Sequence, residues 1–231
     1  VANSLFCKPE EIIFTGCGSE SNNQAILGMS KLRARRSKRV ITTDSEHPSV
    51  ANPINALEEA GFEIIRVSTR NGRLDISELE NELSKGAAFV SVMLVNNETG
   101  AIMQLEEIAA LRDKLAPDAL LHVDGVQGFM RLLVDMRKMG IDSYALSGHK
   151  IHAPKGIGML FVRKGIVLTN LIDGGGQEKR HRAGTENLPY IVGLAKAVEV
   201  AAEQLADMPR VAAMRDRLID ALTAIPYSRL N

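Results

Sequence analysis

The sequence predicts an α/β fold in three layers, with a mostly parallel seven-stranded sheet between two layers of helices. Two observations carry this expectation. Short β-rich runs alternate with segments of helical periodicity along most of the chain, the pattern left by strand–helix–strand crossovers. Several of the runs are continuously apolar rather than alternating, as strands buried on both faces require. At 231 residues the chain is long enough for one large domain with a substantial core.

The strand candidates are residues 12–15, 40–43, 62–67, 89–95, 120–123, 143–146 and 158–162. A first helix is expected over residues 19–36, with Ile26, Met29 and Leu32 at helical spacing. His47-Pro48-Ser49 opens a second, where Pro48 suits the first turn and Gly61 the stop. Leu105, Ile108, Leu111 and Leu115 mark a third. Ile191, Leu194, Val198, Ala201 and Leu205 mark a fourth, expected to run past Pro209 to about residue 225. Residues 1–205 are expected to form one large domain, and 206–231 a helix leading toward a smaller C-terminal domain. The chain begins Val1-Ala2-Asn3 without an initiator methionine, so a piece of a longer protein is expected.

Composition narrows the function classes. Lysines and arginines number 28, and so do acids, so no global charge draws the chain to nucleic acid or to an anionic membrane. The basic cluster between Lys31 and Arg39 reads as a solvated helix end. No apolar stretch approaches the roughly 20 residues that span a bilayer. Two cysteines, Cys7 and Cys17, make no disulfide framework, which favours a reducing, cytoplasmic location. The histidines lack metal-site spacing, and no metal is expected.

Polar residues gather after five of the strands, where ligands of open parallel sheets bind. Lys150 closes the run Ser147-Gly148-His149-Lys150, and Asp124 closes Leu120-Leu121-His122-Val123. A lysine and an aspartate so placed suit pyridoxal phosphate (PLP): the lysine forms a Schiff base and the aspartate pairs with the pyridinium nitrogen. The plainer readings are a surface lysine, and a strand-end cap or ribose ligand for Asp124. Lys155 competes with Lys150, but its Pro-Lys-Gly setting suits a turn. Thr15-Gly16-Cys17-Gly18-Ser19-Glu20-Ser21 joins a strand to a helix and can admit a phosphate, with Ser19 as helix cap and donor; an ordinary capped turn explains it equally. His47 either stacks on a flat ring or caps its helix. Gln127 and Asn97 can reach the ring's oxygen side, and Ser147 can donate to phosphate. Arg182 and Thr185 can serve an anion at a subunit boundary, or belong to a flexible loop.

In this order the segments 14–23, Glu46-His47, Asn96 to Gly100, His122 to Gln127, Ser147 to Lys150, Pro154 to Gly158 and Gly174 to Asn187 resemble cysteine desulfurases of the NifS/IscS type. These belong to the class V aminotransferase group of fold-type-I PLP enzymes. The resemblance implies that Lys150 carries the cofactor as a Schiff base and that Asp124 is the pyridinium partner. It implies that His47 stacks on the ring, that Gln127 and Asn97 flank its oxygen, and that Gly18, Ser19, Ser147 and His149 hold the phosphate. Thr185 would reach the phosphate of a neighbouring subunit in a homodimer. The implied reaction converts L-cysteine to L-alanine and leaves sulfur on an acceptor cysteine, for delivery to iron–sulfur cluster or thiolation partners and scaffold proteins.

Departures are present. Gly18-Ser19 replaces a common Ala-Thr, Ala153 a glycine and His152 a tyrosine. The family's acceptor cysteine and carboxylate-binding arginine fall beyond residue 231. Neither Cys7 nor Cys17 is at the acceptor position, and both are expected to pack. Other readings are a selenocysteine lyase or serine–pyruvate-type aminotransferase of the same group, or a non-catalytic interaction domain on this scaffold.

Overall fold

The structure is a computed structural model that describes residues 1–70 and 72–230. Nine strands and six helices follow in chain order among the described residues: β1 (Ile12–Thr15), α1 (Gly18–Arg33), β2 (Arg39–Thr43), α2 (Pro48–Glu59), β3 (Glu63–Val67), β4 (Thr69–Arg70), β5 (Arg73–Leu74), α3 (Ile76–Leu83), β6 (Phe89–Met93), α4 (Leu105–Leu115), β7 (Leu120–Asp124), β8 (Ser143–Ser147), β9 (Gly158–Val162), α5 (Leu188–Gln204) and α6 (Met208–Thr223). Seven of the strands form one sheet in the order β1-β9-β8-β7-β6-β2-β3. The pairings from β3 to β8 are parallel, whereas β9 runs antiparallel to both its neighbours. All seven expected strands are present, and the sheet is mostly parallel as the apolar runs require.

Side-chain alternation along the strands builds a core on each face. Ile13, Val40, Phe89, Leu120, Ala145 and Leu160 face α1 and α2, meeting Ile26, Met29, Val50, Ile54 and Leu57. Their chain neighbours Ile12, Ile41, Val90, Leu121, Tyr144 and Phe161 face the other way, toward Leu79, Leu83, Leu105, Ile108, Leu194 and Val198. These belong to α3, α4 and α5. The three expected layers follow directly.

One expectation needs correction, and three elements were not expected. The single helix expected from Ile191 to about residue 225 is two helices, separated by a 3-10 turn at Leu205–Asp207. Pro209 lies in the first turn of α6, where its missing N–H costs nothing; inside a continuous helix it would break the bonding ladder. The hairpin of β4 and β5 and helix α3 were not expected at all. Helix α6 buries none of its side chains, and Asn231, the last residue of the expected second segment, lies outside the described residues.

At the opposite edge from the site, Asp142 ties the strand starts together. It is fully buried, accepts from the Leu121 amide at 2.7 Å and from Arg112 Nη1 at 3.1 Å, and pairs with Arg163. Arg112 is also buried and donates to the carbonyls of Ala119 and Gly140. Two desolvated charges persist there because each is surrounded by partners.

Gly125, just past β7, is required by its contact with Tyr144. A Cβ there would lie 1.7 Å from Tyr144 Cζ, and Tyr144 is fully buried. Gly125→Ala should therefore destabilise the fold by about 3 kcal/mol or more, the upper range of overpacking. Denaturant titration checks this. Adding Tyr144→Leu, which removes the clashing ring, should give a double variant more stable than the two single effects summed.

Candidate active site

All strands of the sheet except β9 point the same way, so the carboxyl ends of β1, β2, β6, β7 and β8 share one edge. Between β1 and β8 lies β9, with Gly158 paired to Thr15 on one side and Ser147 on the other. The 15–18 turn crosses directly over Gly158, since a Cβ there would meet the Cys17 backbone at 2.5 Å. That absent side chain brings the start of α1 up to the end of β8.

A cavity of about 190 Å³ opens at this edge. It is lined by Gly18, Ser19, His47, Asn97, Asp124, Gln127, Ser147, His149 and Lys150, together with Cys17, Ser49, Met93, Val95 and Val126. Nine of the ten expected site residues therefore meet in one place. Thr185 does not; it is exposed and lines a separate cavity of about 250 Å³ with Thr15, Gly16 and Arg182. Lys155 is exposed and is absent from the lining, so only Lys150 of the two competing lysines faces the cavity.

Lys150 sits in a 3-10 turn, Gly148–Ile151, at the end of β8. Arg131 holds that turn by donating to the Lys150 carbonyl at 2.9 Å. Among the described residues Lys150 makes no salt bridge. Ser147 Oγ and His149 Nδ1 lie 2.9 Å apart. Burial, then the charges of Lys150 and Lys155, hold the His149 imidazole below its ordinary pKa.

The start of α1 differs from expectation in one respect. Cys17, not Ser19, occupies the N-cap position, and no side chain caps the helix. Ser19 lies inside the first turn and is exposed, so its hydroxyl is left for a ligand rather than for the backbone. Uncapped helix amides are donors for an anion. Cys17 is exposed and lines the cavity, contrary to the packing role expected of it, whereas Cys7 is half-buried with its thiol pushed up to about 11 by burial. Arg182 is committed within the chain: its Nε donates to Glu20 at 2.8 Å, and Glu20 also accepts from the Gly16 amide. The loop after Gly174 is thereby latched to the start of α1.

His47 and Asp124 each make the capping contact offered as the plainer reading, and each also lines the cavity. His47 is the N-cap of α2, its Nδ1 accepting from the Ser49 amide at 3.1 Å, and it lines the cavity. Asp124 caps its own strand end, accepting from the Val126 amide at 3.0 Å, and it also lines the cavity. It is almost fully buried, and that burial raises its carboxyl pKa against the lowering pull of the Val126 amide and Asn22.

Beneath the cavity is a polar layer with no role in the sequence reading. Buried Asn22 donates to Asp124 Oδ2 and to Ser49 Oγ, each at 2.9 Å. His122, expected to pack in the sheet, does stack on Phe89, but it also bonds Asn22 at 3.0 Å and Ser143 at 2.8 Å. Burial pushes its imidazole down to about 3. Glu46 Oε1 accepts from Thr43 Oγ1 at 2.8 Å and from the Met93 amide at 2.9 Å, while its Oε2 is buried without a partner among the described residues. Such a position suits a protonated carboxyl, and burial, reinforced by the charge of Asp124, pushes it up to about 8.

The folded protein thus holds a proton on Glu46 that the unfolded chain releases near its ordinary pKa. The associated stability is full below about pH 4.5 and is lost as pH rises through about 8. Glu46→Gln keeps the oxygen acceptor and cannot ionise. Its stability relative to wild type should improve by on the order of 2–3 kcal/mol between pH 6 and pH 9. Paired thermal melts at the two pH values read this directly.

The model of the family described as aminotransferase class-V matches residues 1–231. The chain belongs to this family. Among curated class V relatives, cysteine desulfurase 2 of Trichormus variabilis is 44% identical over 234 residues, and cysteine desulfurase IscS of Methanosarcina thermophila 38% over 232. Both alignments cover the whole of this chain, which spans only 58% and 57% of those proteins. Among solved structures, a NifS-like protein superposes with a TM-score of 0.92 at 34% identity, covering 97% of this chain and 62% of that one. A structure described as SspA in complex with cysteine gives 0.81 at 38%, covering 86% and 58%.

The fold is thereby that of the fold-type-I PLP enzymes. Class V proteins are PLP-dependent, and the residues here fit that cofactor. Uncapped amides and the Ser19 hydroxyl suit a phosphate at one end of the cavity, a buried carboxylate suits a ring nitrogen, and Lys150 supplies the amine. No cluster among the described residues has the makings of a metal site, and no described helix is long and apolar enough to cross a membrane.

Proposed function

We propose that the chain is the PLP-binding large domain of a cysteine desulfurase, which removes sulfur from L-cysteine, leaves L-alanine and passes the sulfur to an acceptor cysteine. The observation that carries this is the meeting of Lys150 and Asp124 in one cavity with an uncapped helix start. The identities of 44% and 38% to curated cysteine desulfurases support it.

When bound, PLP supplies an electron sink for bonds broken at the substrate's α-carbon. The chain's residues do the rest. Ser19, Ser147, His149 and the amides from Gly18 onward bind the phosphate. Asp124 would hold the ring nitrogen, His47 would support the ring, and Asn97 and Gln127 would hold its oxygen. Lys150 Nζ would anchor the cofactor and carry the substrate's α-proton. The acceptor cysteine and the arginine for the substrate carboxylate are assigned to chain beyond residue 231. Residues 206–231 are read as the lead toward that second domain.

The same reading makes the protein a cytoplasmic homodimer that hands sulfur to acceptor or scaffold proteins. Thr185, exposed and away from its own chain's cavity, is then free to serve a neighbour's phosphate. Incubation with PLP and L-cysteine tests the proposal. The protein extended to the length of its relatives should yield alanine and a protein persulfide in equal amounts, and the 231-residue chain should yield neither in quantity. Mercaptopyruvate formed when a keto acid is added as the amino acceptor, with no persulfide, would contradict it.

A further inference from the structure

The polar layer beneath the cavity has a direction. Asp124 Oδ2 is an acceptor, so the Asn22 atom 2.9 Å from it is the amide nitrogen. The second hydrogen of that nitrogen goes to Ser49 Oγ, also at 2.9 Å. Ser49 Oγ, having accepted, turns its own hydrogen to His47 Nδ1 at 2.8 Å. The Ser49 backbone N–H, which can only donate, points at the same Nδ1 from 3.1 Å. His47 Nδ1 is therefore bare, and a neutral His47 carries its proton on Nε2. On the other side, Asn22 Oδ1 accepts from His122 Nε2 at 3.0 Å, which leaves His122 Nδ1 to accept from Ser143 at 2.8 Å.

We infer that Asn22 is a positioning residue of this site: one buried amide holds the Asp124 carboxylate and, through Ser49, orders the hydrogen bond beneath the His47 ring. Asn22 has no exposed surface and does not line the cavity, so it acts only through these partners. Its functional meaning rests on the proposed PLP site, where an ionised Asp124 and an oriented His47 are both required. Asp124 is faced by Asn22 from α1, by His47 from the start of α2, by Glu46 from the end of β2 and by Tyr144 from β8. Of these, Asn22 is the side chain that hydrogen-bonds its carboxylate.

NMR of the cofactor-free protein, with 13C-carboxyl aspartate and 15N histidine, tests the inference without any assay of turnover. In wild type, His47 and His122 should both show the proton on Nε2. In Asn22→Leu, the Asp124 midpoint should move up by about one pH unit or more, the loss of one hydrogen bond to a charged group. His122 should then populate both tautomers. Ser49→Ala should leave the Asp124 midpoint in place and shift only the His47 Nδ1 resonance. A proton on His47 Nδ1 in wild type overturns the inference whether or not either variant folds. So does a folded Asn22→Leu protein with unchanged Asp124 and His122 signals. Failure of PLP to bind would sink the functional reading while leaving these spectra as expected, so the two failures are distinct.

Discussion

Lys150→Ala should abolish covalent attachment of PLP and lower cysteine turnover in the complete protein by more than about 10⁴-fold, because in the proposed role one amine would both anchor the cofactor and carry a proton. The structure makes this substitution specific. Lys150 lines the cavity, whereas the competing Lys155 is exposed on the turn beyond it. The fold should tolerate the change, since Lys150 makes no salt bridge among the described residues and its turn is held through backbone atoms, notably its carbonyl bonded to Arg131. The result to look for is a folded protein with an unchanged melting temperature that binds PLP weakly and is not labelled by borohydride. Lys155→Ala should retain labelling. Loss of labelling in Lys155→Ala and not in Lys150→Ala would reverse the assignment.

Asp124→Asn should cost about 10²–10³ in turnover number, the range seen when one preorganised electrostatic partner is removed. The substitution is nearly isosteric, and an amide oxygen can still accept from the Val126 N–H that now meets Asp124 Oδ1 at 3.0 Å. What it removes is charge and one acceptor: the new amide nitrogen faces the Asn22 Nδ2 donor that Asp124 Oδ2 now accepts from, so the fold should also lose about 1–3 kcal/mol. Turnover number should therefore be compared well below the lowered melting temperature, where the variant is folded. Asp124→Glu, which restores charge but displaces it, should recover little, because the cavity floor is set by the bonds from Val126 and Asn22.

Much of this architecture was legible in the sequence because burial on both faces writes itself as uninterrupted apolar runs. Residues 120–123 and 158–162 needed no neighbours to be read as strands. The pairing of β4 with β5 and helix α3 were not legible for the opposite reason. Two-residue strands carry no periodicity, and α3 offers only Leu79 and Leu83 as fully buried anchors behind its Asp75 cap. The cavity lining was legible because its members directly follow strand ends. Asn22, Ser49 and Glu46 were not given roles, since a polar residue in or near a helix ordinarily faces solvent. Only the sheet order brings them together beneath the cavity, by setting β7 beside β6 and β6 beside β2. A weak signal for Asn22 existed: Ala25, Ile26 and Met29 share its helix face, so an amide there lies on the core side of α1.

Gly18 illustrates how sequence departure and structure meet. A Cβ there would lie 2.7 Å from Val126 Cγ2 and 3.1 Å from Ser147 Cβ, so the smaller residue accompanies a branched neighbour across the cavity floor. The glycine is then a matter of packing rather than of altered chemistry, since Ser19 keeps the hydroxyl expected to donate to phosphate.

Whether Lys150 anchors PLP in this chain can be read from borohydride reduction followed by peptide mapping. The purified protein, incubated with PLP and reduced, should carry the pyridoxyl group on the peptide containing Lys150, at one label per chain, with Lys155 and other lysines unmodified. Labelling spread over surface lysines, or a protein that binds no PLP at all, would contradict the account.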